Sequence, residues 1–421
     1  MPIYAAIIAT LVVGASLSHL VIACYFRTKM ALHVPKTPAE GDMGLASVML
    51  SIRGCDPGLK QTLIQLLDQD YNNYEVHLII DDKSDAAWSL VHQIKSEFDI
   101  DNRFRIQEMR KPLKTCGLKC SALLQGLNQV NSDSRFLVLI DADVTPHSSW
   151  LGDLIAPLSD KKIGVVTGNQ WYEPENPTAG SVLRSLWNAG SLVPTAILSN
   201  PWAGSFAMRM EDVRRAKLQK VWRKSIVDDG PIRRALQPLG LSIYFSPSLI
   251  MVNRDRCTFS YVNRYVSRML TWSRIYETTF INTVFHAIIT FGLLLAALGV
   301  FMTSLVSQDW TSALVIGSGV LSGIFLTSIS YFVVRNAVAQ CISMRGETLQ
   351  RLSISRVFRF MVLTPAAQFI YCVSCFRAAL TRQIQWRQIT YQLKGKSSVK
   401  MVRYRPWIAT EPEQVQSEVS L

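Results

Sequence analysis

The sequence predicts an α/β domain with a mostly parallel central sheet and with transmembrane helices at both of its ends. Apolar stretches with almost no charge lie near both ends of the 421-residue chain, strand-like and helix-like segments alternate between them, and acidic pairs follow predicted strands. With 49% hydrophobic and only 18% charged residues, the composition excludes a disordered chain and an ordinary soluble domain.

The first apolar stretch predicts an N-terminal membrane anchor over residues 1–28. Residues 3–26 contain no Lys, Arg, Asp or Glu, and they exceed the roughly 20 residues that a helix needs to cross the hydrocarbon core. Arg27 and Lys29 follow the stretch rather than precede it, which argues against a cleaved secretory signal. By the positive-inside rule the next domain lies in the cytoplasm.

The apolar segments after the central domain predict further membrane helices. Residues 279–335 contain a single charged residue before Arg335, Asp309, and predict two spans. Residues 358–380 are followed by many basic residues, so one crossing would put a basic tail outside. We therefore predict an interfacial or re-entrant helix in a basic cytoplasmic segment, 336–400, followed by a C-terminal tail, 401–421.

Residues 40–278 are predicted to form the cytoplasmic α/β domain. Strands are expected at 45–52, 74–80 and 136–140, and a helix is expected at 59–67. Strand, helix and strand in this order predict parallel pairing, which places ligands at the carboxyl ends of the strands.

Acidic residues occupy those carboxyl ends. Asp81 and Asp82 follow the second strand, and Asp141 and Asp143 follow the third. A carboxylate directly after a buried strand is costly unless a cation or a hydrogen-bond donor contacts it. The Asp141-x-Asp143 spacing suits Mg²⁺ or Mn²⁺, which take oxygen ligands and bridge phosphates.

A third acidic pair, Asp228 and Asp229, precedes Gly230 and Pro231 and has two interpretations. An Asp can cap the first turn of a helix, here one over residues 232–239. Alternatively, the pair belongs to the same site as the other carboxylates. Spacing alone does not decide between them.

The basic surplus of the chain points to a membrane surface. Lys and Arg exceed Asp and Glu by 44 to 31, a net charge of +13, and many of the basic residues lie beside apolar helices. The sequence has no zinc-ligand spacing, helix-turn-helix pattern or RNA-binding signature, so no nucleic acid is expected as a partner.

Several segments between residues 45 and 395 together resemble the ceramide glucosyltransferase-like branch of the family 2 glycosyltransferases. The segments that carry the resemblance are Arg53-Gly54 with Asp56-Pro57, Leu66-Leu67 with Asp70-Tyr71, Tyr74-Glu75-Val76, Gly117-Leu118-Lys119, Gly204 to Arg209, Val227-Asp228-Asp229, and Gln385-Trp386-Arg387 with Tyr391 and Leu393. At Gly117-Leu118-Lys119 the asparagine and proline of that branch are missing.

The resemblance implies a GT-A fold, a UDP-sugar donor and inversion at the anomeric carbon. It implies that Asp82 binds the nucleoside, with Asp81 and Asp85 as alternatives. The chemistry independently requires a cation, because the leaving nucleoside diphosphate develops negative charge. It also requires a carboxylate that accepts the proton of the acceptor hydroxyl.

The remaining roles follow the same resemblance. Lys119, Asp141 and Asp143 would bind the donor, with the metal and the diphosphate on the two carboxylates. The matching acidic pair would be catalytic, with Asp229 as the general base beside Asp228.

One segment departs from the family pattern of Gln/Arg-x-x-Arg-Trp. This chain has Arg268 and Trp272 with Thr271 where the second basic residue is expected, and Arg264 and Arg274 lie nearby. Arg268 and Trp272 are spaced i, i+4 and would share a helix face. They are predicted to be catalytic, and the alternative is an interfacial helix where the chain re-enters the membrane.

The sequence therefore predicts a multi-pass membrane enzyme that transfers a sugar, glucose in the first instance, from a UDP-sugar to a lipid hydroxyl such as that of ceramide. One alternative is a processive polysaccharide synthase, against which the small number of predicted spans argues. Another is a non-catalytic membrane scaffold, against which the three intact acidic clusters argue. The oligomeric state is left open.

Overall fold

The computed structural model describes residues 2–32, 43–99, 101–395 and 398–407. They form two compact units. The described residues of 33–171, 198–255 and 381–421 form the first, called the sheet unit, and those of 1–32, 172–197 and 256–380 form the second, called the helix unit.

The strands and helices alternate along the central part of the chain. The strands are β1 (Ala46–Ile52), β2 (Tyr74–Ile80), β3 (Phe104–Glu108), β4 (Phe136–Ile140), β5 (Ile163–Tyr172), β6 (Ser205–Arg209), β7 (Ser242–Asn253), β8 (Gln383–Trp386), β9 (Ile389–Leu393) and β10 (Val399–Arg403). The α-helices are α1 (Pro2–Ala31), α2 (Leu59–Leu67), α3 (Ala86–Phe98), α4 (Leu118–Leu127), α5 (Trp150–Ile155), α6 (Ala179–Leu198), α7 (Met210–Arg215), α8 (Leu218–Trp222), α9 (Ile232–Leu236), α10 (Phe259–Tyr276), α11 (Phe280–Val306), α12 (Trp310–Ser343) and α13 (Ile354–Leu380).

The sheet has seven strands in the order β3-β2-β1-β4-β6-β5-β7. β1 pairs in parallel with β2 and β4, and β2 pairs in parallel with β3, whereas β6 is antiparallel to both β4 and β5. The predicted fold class, α/β with a mostly parallel central sheet, is therefore confirmed. The three predicted strands and the predicted helix correspond to β1, β2, β4 and α2.

The pairing register brings the carboxyl ends of neighbouring strands together. Ile52 of β1 pairs with Ile80 of β2, and Leu50 of β1 pairs with Ile140 of β4. The acidic residues that follow β2 and β4 therefore leave the sheet at the same edge.

Helices cover both faces of this sheet, which explains why β4, in its middle, is buried and apolar along its whole length. In β4, Val138 and Ile140 belong to one buried apolar cluster together with Leu63 of α2. Leu139 belongs to a second cluster together with Leu123 of α4. Successive side chains of one strand thus supply two separate layers.

The C-terminal strands add an unpredicted element to the sheet unit. β8, β9 and β10 form an antiparallel three-stranded sheet. The Leu118 N–H donates to the Tyr391 hydroxyl at 3.1 Å, and the Met401 N–H donates to the Lys114 carbonyl at 2.8 Å. Part of the predicted basic segment, 336–400, is thus attached beside the start of α4.

The helix unit contains four helices, among the described residues, that are long and apolar enough to cross a membrane: α1, α11, α12 and α13. α12 continues beyond Arg335 to Ser343. α13 has 27 residues and includes Pro365 without ending there. Its length and composition are those of a helix that can cross a membrane completely. The interfacial or re-entrant placement of residues 358–380 stays a prediction.

Small residues bring α1 and α12 into close contact. A Cβ built on Gly323 would lie 2.7 Å from the Val12 side chain and 3.2 Å from the Ser16 hydroxyl. Close backbone approach of this kind is the usual basis of helix association in a bilayer. We expect the two helices to remain packed as a pair.

The predicted domain 40–278 is distributed between the two units. Residues 172–197 and 256–278 belong to the helix unit, and the other described residues of that range belong to the sheet unit. Residues 40–42 of the predicted domain and 408–421 of the predicted tail lie outside the described residues. The predicted boundaries stay predictions.

Candidate active site

The candidate site begins where β4 ends. Asp141 and Asp143 follow Ile140, and both are half-buried at the carboxyl edge of the sheet. The Lys119 ammonium donates to the Asp141 carboxylate and lies 2.9 Å from Oδ2 of Asp228. One cation therefore joins two acidic clusters that the sequence separates widely.

The electrostatics of this lysine follow from its two partners. Burial opposes the charged form, but the Asp141 and Asp228 carboxylates raise the pKa of Lys119 above its ordinary value. The ammonium is therefore fully charged at neutral pH, and it offsets part of the cost of holding two carboxylates at the edge of the apolar core.

Gly117 allows the loop that carries the acidic pair to approach α4. Its N–H donates to the Ser225 carbonyl at 2.8 Å, and a Cβ at this position would collide with the Ile226 carbonyl. The Trp222 indole N–H donates to the Asp228 carbonyl at 2.9 Å. A residue without a side chain is thus needed where the loop of residues 225–229 meets the start of the helix.

The acidic pair does not cap the following helix. Pro231 is the residue that precedes α9, and no side chain in the described part of the chain caps this helix. The N-cap interpretation is therefore wrong. Asp228 is buried beside Lys119, and Asp229 accepts a hydrogen bond from the Ala203 N–H at 3.3 Å.

Asp229 has the electrostatic surroundings of a base that works near neutral pH. Burial, followed by repulsion from the Asp228 carboxylate, raises the pKa of Asp229 to about 7, while Lys119 and the Ala203 N–H oppose this rise. A carboxylate with such a pKa is a better proton acceptor than an ordinary Asp.

Asp143 is surrounded by like charges. Burial, then Asp141 and Asp56, raise the pKa of Asp143 to about 8, while Arg387 acts in the opposite direction. Arg387 donates to Oδ1 of Asp56 at 2.5 Å. Among the described residues no hydrogen-bond donor contacts the Asp143 carboxylate, and its surroundings favour a cation beside it.

The donor set fits a divalent cation that is shared with a substrate. In the described part of the chain no group of three or more His, Cys, Asp or Glu side chains is arranged to hold a metal ion. Mg²⁺ commonly uses only one or two carboxylates and completes its shell with water and substrate phosphates. Asp141 and Asp143 carry oxygen atoms of the kind that such a site uses, so the prediction that they hold the metal stays a prediction.

The acidic residues after β2 have three different environments. Asp81 is buried and accepts hydrogen bonds from Arg53, from the Tyr404 hydroxyl at 2.9 Å and from the Trp407 N–H at 3.2 Å. Asp85 caps α3 through the Ala87 N–H at 2.9 Å.

Asp82 is the most accessible acidic residue of this segment. Its Oδ1 accepts from the Ser84 hydroxyl at 2.6 Å and from the Ser84 N–H at 2.9 Å, and these bonds lower the pKa of Asp82. It therefore keeps an ionised carboxylate that a nucleoside could contact, whereas Asp81 and Asp85 are already engaged.

Arg268 and Trp272 lie on α10, in the helix unit. The guanidinium of Arg268 lies 5.9 Å from the centre of the Tyr265 ring. Thr271 stands where the family pattern has its second basic residue. It is buried and donates to the Ser267 carbonyl of its own helix at 2.7 Å, so this position supplies no positive charge. Arg274 donates to the Ala379 carbonyl at 2.7 Å, near the end of α13.

Several residues around the site have no role in the predictions made from the sequence. Arg387 and Asp56 act on Asp143, and Tyr404 and Trp407 enclose Asp81. The role of Arg387 could have been expected, because the Gln385-Trp386-Arg387 segment belongs to the family resemblance. Its partner Asp56 is distant in the sequence. No sequence pattern pointed to Tyr404 or Trp407.

Replacing Lys119 tests whether the lysine holds the acidic clusters together. Lys119→Met leaves the Asp141 and Asp228 carboxylates without their shared cation, so we expect the free energy of unfolding to fall by about 3 kcal/mol. Thermal or denaturant unfolding of the purified protein measures this. The exposed Lys60→Met on α2 is the matched control, and an equal effect of the two changes would contradict this role for Lys119.

The comparison with known families decides what kind of protein carries this site. The model of glycosyl transferase family 21 matches residues 9–399. The chain belongs to glycosyl transferase family 21. The ceramide glucosyltransferase-like resemblance is confirmed at the level of the family, under family number 21 rather than 2. This family 21 member is a nucleotide-sugar-dependent glycosyltransferase.

Two solved structures are among those similar to this family 21 glycosyltransferase. The mannosyltransferase PcManGT from Pyrobaculum calidifontis, in complex with GDP-Man and Mn²⁺, is 14% identical, with a TM-score of 0.45 and coverage of 89% of this chain and 98% of that one. A glucosyl-3-phosphoglycerate synthase from Mycobacterium tuberculosis, in complex with Mn²⁺, UDP and phosphoglyceric acid, is 17% identical, with a TM-score of 0.37 and coverage of 59% and 86%. None of the curated proteins compared with the chain matches it.

Proposed function

We propose that this family 21 glycosyltransferase moves a sugar, glucose in the first instance, from a UDP-sugar to the hydroxyl group of a membrane lipid such as ceramide. The observation that carries the proposal is the joining of two acidic clusters by Lys119, with Asp141 on one side and Asp228 on the other. Lys119 therefore holds Asp141, a proposed donor-binding carboxylate, close to Asp228, the neighbour of the candidate base Asp229.

Each residue has a role in the proposed reaction. Asp229 accepts the proton of the acceptor hydroxyl while that oxygen forms a bond to the anomeric carbon and the bond to the diphosphate breaks. Lys119 supplies the positive charge that Asp141 and Asp228 share. Asp141 and Asp143 would hold Mg²⁺ or Mn²⁺, and a bound divalent cation supplies positive charge to the leaving diphosphate. Asp82 would contact the nucleoside.

The apolar helices of the chain support a lipid as the acceptor. Four helices, in the described residues, are long and apolar enough to cross a membrane. Arg27 and Lys29 at the end of α1 support a cytoplasmic catalytic domain. Under this proposal Arg268 and Trp272 of α10 assist catalysis, and the bilayer is the source of the acceptor.

Analysis of the radiolabelled product tests the proposal. Membranes that contain the protein are incubated with labelled UDP-glucose and Mn²⁺, and lipids are then separated from water-soluble material. We expect label in a small organic-extractable product. Label only in a large water-soluble polymer would instead identify a polysaccharide synthase, and failure of all nucleotide sugars tested would favour the scaffold.

The rate of transfer is expected to depend on pH through Asp229. Its pKa is raised to about 7 and its deprotonated form is the active base, so activity is retained above pH 7 and lost as the pH falls below that value. We expect kcat/KM to decrease by about tenfold per pH unit below about pH 6.5. The measurement uses saturating Mn²⁺, and a flat profile between pH 5.5 and 8 would contradict the assignment.

A further inference from the structure

A cavity within the helix unit is not used by the catalytic site described above. It lies among α1, α11, α12 and α13, and its polar lining comes from Ser16, His19, Thr290, Thr327, Thr364 and Gln368. Apolar side chains such as Leu293 and Ile324 complete the wall. Among the described residues, no Asp, Glu, Lys or Arg lines it.

A pair of histidines, unusual in an apolar helix bundle, lies at the border of the cavity, which His19 lines and His286 does not. Nε2 of His19 lies 3.0 Å from Nε2 of His286. Taking α1 as a full span, its 30 residues extend about 45 Å. The hydrocarbon layer is about 30 Å thick. Wherever along its length such a helix crosses this layer, its middle third lies inside the hydrocarbon. His19 belongs to this middle third.

Several polar atoms at the cavity are left with spare hydrogen-bonding capacity. The Thr290 hydroxyl donates to the His286 carbonyl at 2.8 Å and lies 3.4 Å from Oε1 of Gln368, and the amide nitrogen of Gln368 has no acceptor among the described residues. Likewise, Nδ1 of His19 and Nδ1 of His286 have no partner in the described part of the chain. Polar atoms without partners are costly in hydrocarbon.

The chemistry of the lining restricts the occupant. Without a cationic side chain, the cavity has nothing to neutralise a phosphate headgroup. Imidazole, amide and hydroxyl groups can each both donate and accept hydrogen bonds. They match a neutral lipid headgroup that carries hydroxyl and amide groups, and the apolar wall matches its hydrocarbon chains. His286, at the border of the cavity, is exposed on α11.

We propose that this cavity, lined by His19, Gln368 and their neighbours and bordered by His286, binds the neutral hydroxyl- and amide-bearing headgroup of a ceramide-type lipid within the membrane. The choice of lipid rests on the proposed function. The position of the site does not, because it follows from the polar lining of the helix unit.

Photo-crosslinking tests the proposal without requiring turnover. The full-length protein with Asp229→Asn is placed in phosphatidylcholine nanodiscs that contain a photoactivatable, clickable ceramide, and labelled peptides are identified by mass spectrometry. We expect label on α1, α11 and α13, and competition by unmodified ceramide but not by diacylglycerol. Label confined to other segments, or equal competition by diacylglycerol, would overturn the proposal.

Two variants and one control establish which side chains matter. Gln368→Leu and His286→Phe each remove hydrogen-bonding groups, so we expect about fivefold less labelling in each. Thr303→Val is the matched control, because Thr303 is exposed at the far end of α11 and bonds only to carbonyls of its own helix. Nucleotide binding, measured in parallel, identifies any variant that is misfolded. Equal labelling of all folded variants would contradict the site.

The outcomes separate this inference from the proposed function. Sugar transfer to lipid by a protein that shows no cavity labelling would leave the proposed function intact and reject the lipid site. Specific labelling of the cavity in a protein that transfers no sugar to any lipid would retain the site and reject the proposed function.

Discussion

Asp229→Asn is expected to abolish sugar transfer while leaving nucleotide binding intact. The amide is nearly isosteric with the carboxylate but cannot accept the proton of the acceptor hydroxyl. General-base catalysis commonly contributes a factor of about 10² to 10⁴, so we expect a loss of about a thousandfold in kcat. The half-buried Asp229 also repels Asp228, so the variant should be folded and no less stable than the parent.

The control for this variant is Asp133→Asn, at an exposed position of the sheet unit. Transfer rates and UDP binding are measured for both variants under identical conditions. If Asp229→Asn binds UDP much more weakly than the parent, the residue belongs to the donor site. If it retains most of its transfer activity, another group is the base.

Asp143→Asn is expected to have the second largest effect, and it should act through the metal. A divalent cation at a leaving diphosphate is worth several kcal/mol, which corresponds to at least a hundredfold loss of transfer. UDP binding should lose its dependence on Mn²⁺. Isothermal titration with UDP, in the presence of Mn²⁺ or of a chelator, measures this directly.

The same variant has an expected effect on stability in the absence of metal. The pKa of Asp143 is raised to about 8 in the folded protein. At neutral pH the unfolded chain therefore gains free energy from ionising this carboxyl group, which lowers the stability of the fold. Below the unfolded-state pKa the group is protonated in both states and this effect disappears. Asp143→Asn should therefore raise the Tm at pH 7 in chelator, and the difference should vanish near pH 3. A lower Tm at pH 7, or unchanged dependence on Mn²⁺, would remove Asp143 from the metal site.

The strands and the strand-end carboxylates could be predicted because their signals are local. Val138 and its neighbours form a continuous apolar run, and the carboxylates that follow them are adjacent in the sequence. A short run of this kind, followed by Asp141 and Asp143, specifies both a buried strand and the end where ligands bind.

The partners of these carboxylates could not be predicted, because their pairing depends on distant segments. Arg387 contacts Asp56 across 331 residues. The pairing of Lys119 with Asp228 requires the loop of residues 225–229 to lie against Gly117, a contact that no local pattern encodes. The sequence left the role of the acidic pair undecided for the same reason, and only the position of Pro231 before α9 excluded the capping alternative.

The membrane segments were predictable in position but not in detail. The two spans predicted within residues 279–335 follow from the near absence of charge, and α11 and α12 correspond to them. The polar lining of the cavity among the four long helices was not predictable, because residues such as His19 and Gln368 come together only when the helices pack.

The measurement that tests the central claim most directly is the anomeric configuration of the sugar in the product. A single displacement at the anomeric carbon, with Asp229 as the base, inverts the configuration. NMR of the purified glycolipid made from an α-linked UDP-sugar should therefore show a β linkage. An α linkage in the product would contradict the account, because it would require a second displacement or a different arrangement of base and leaving group.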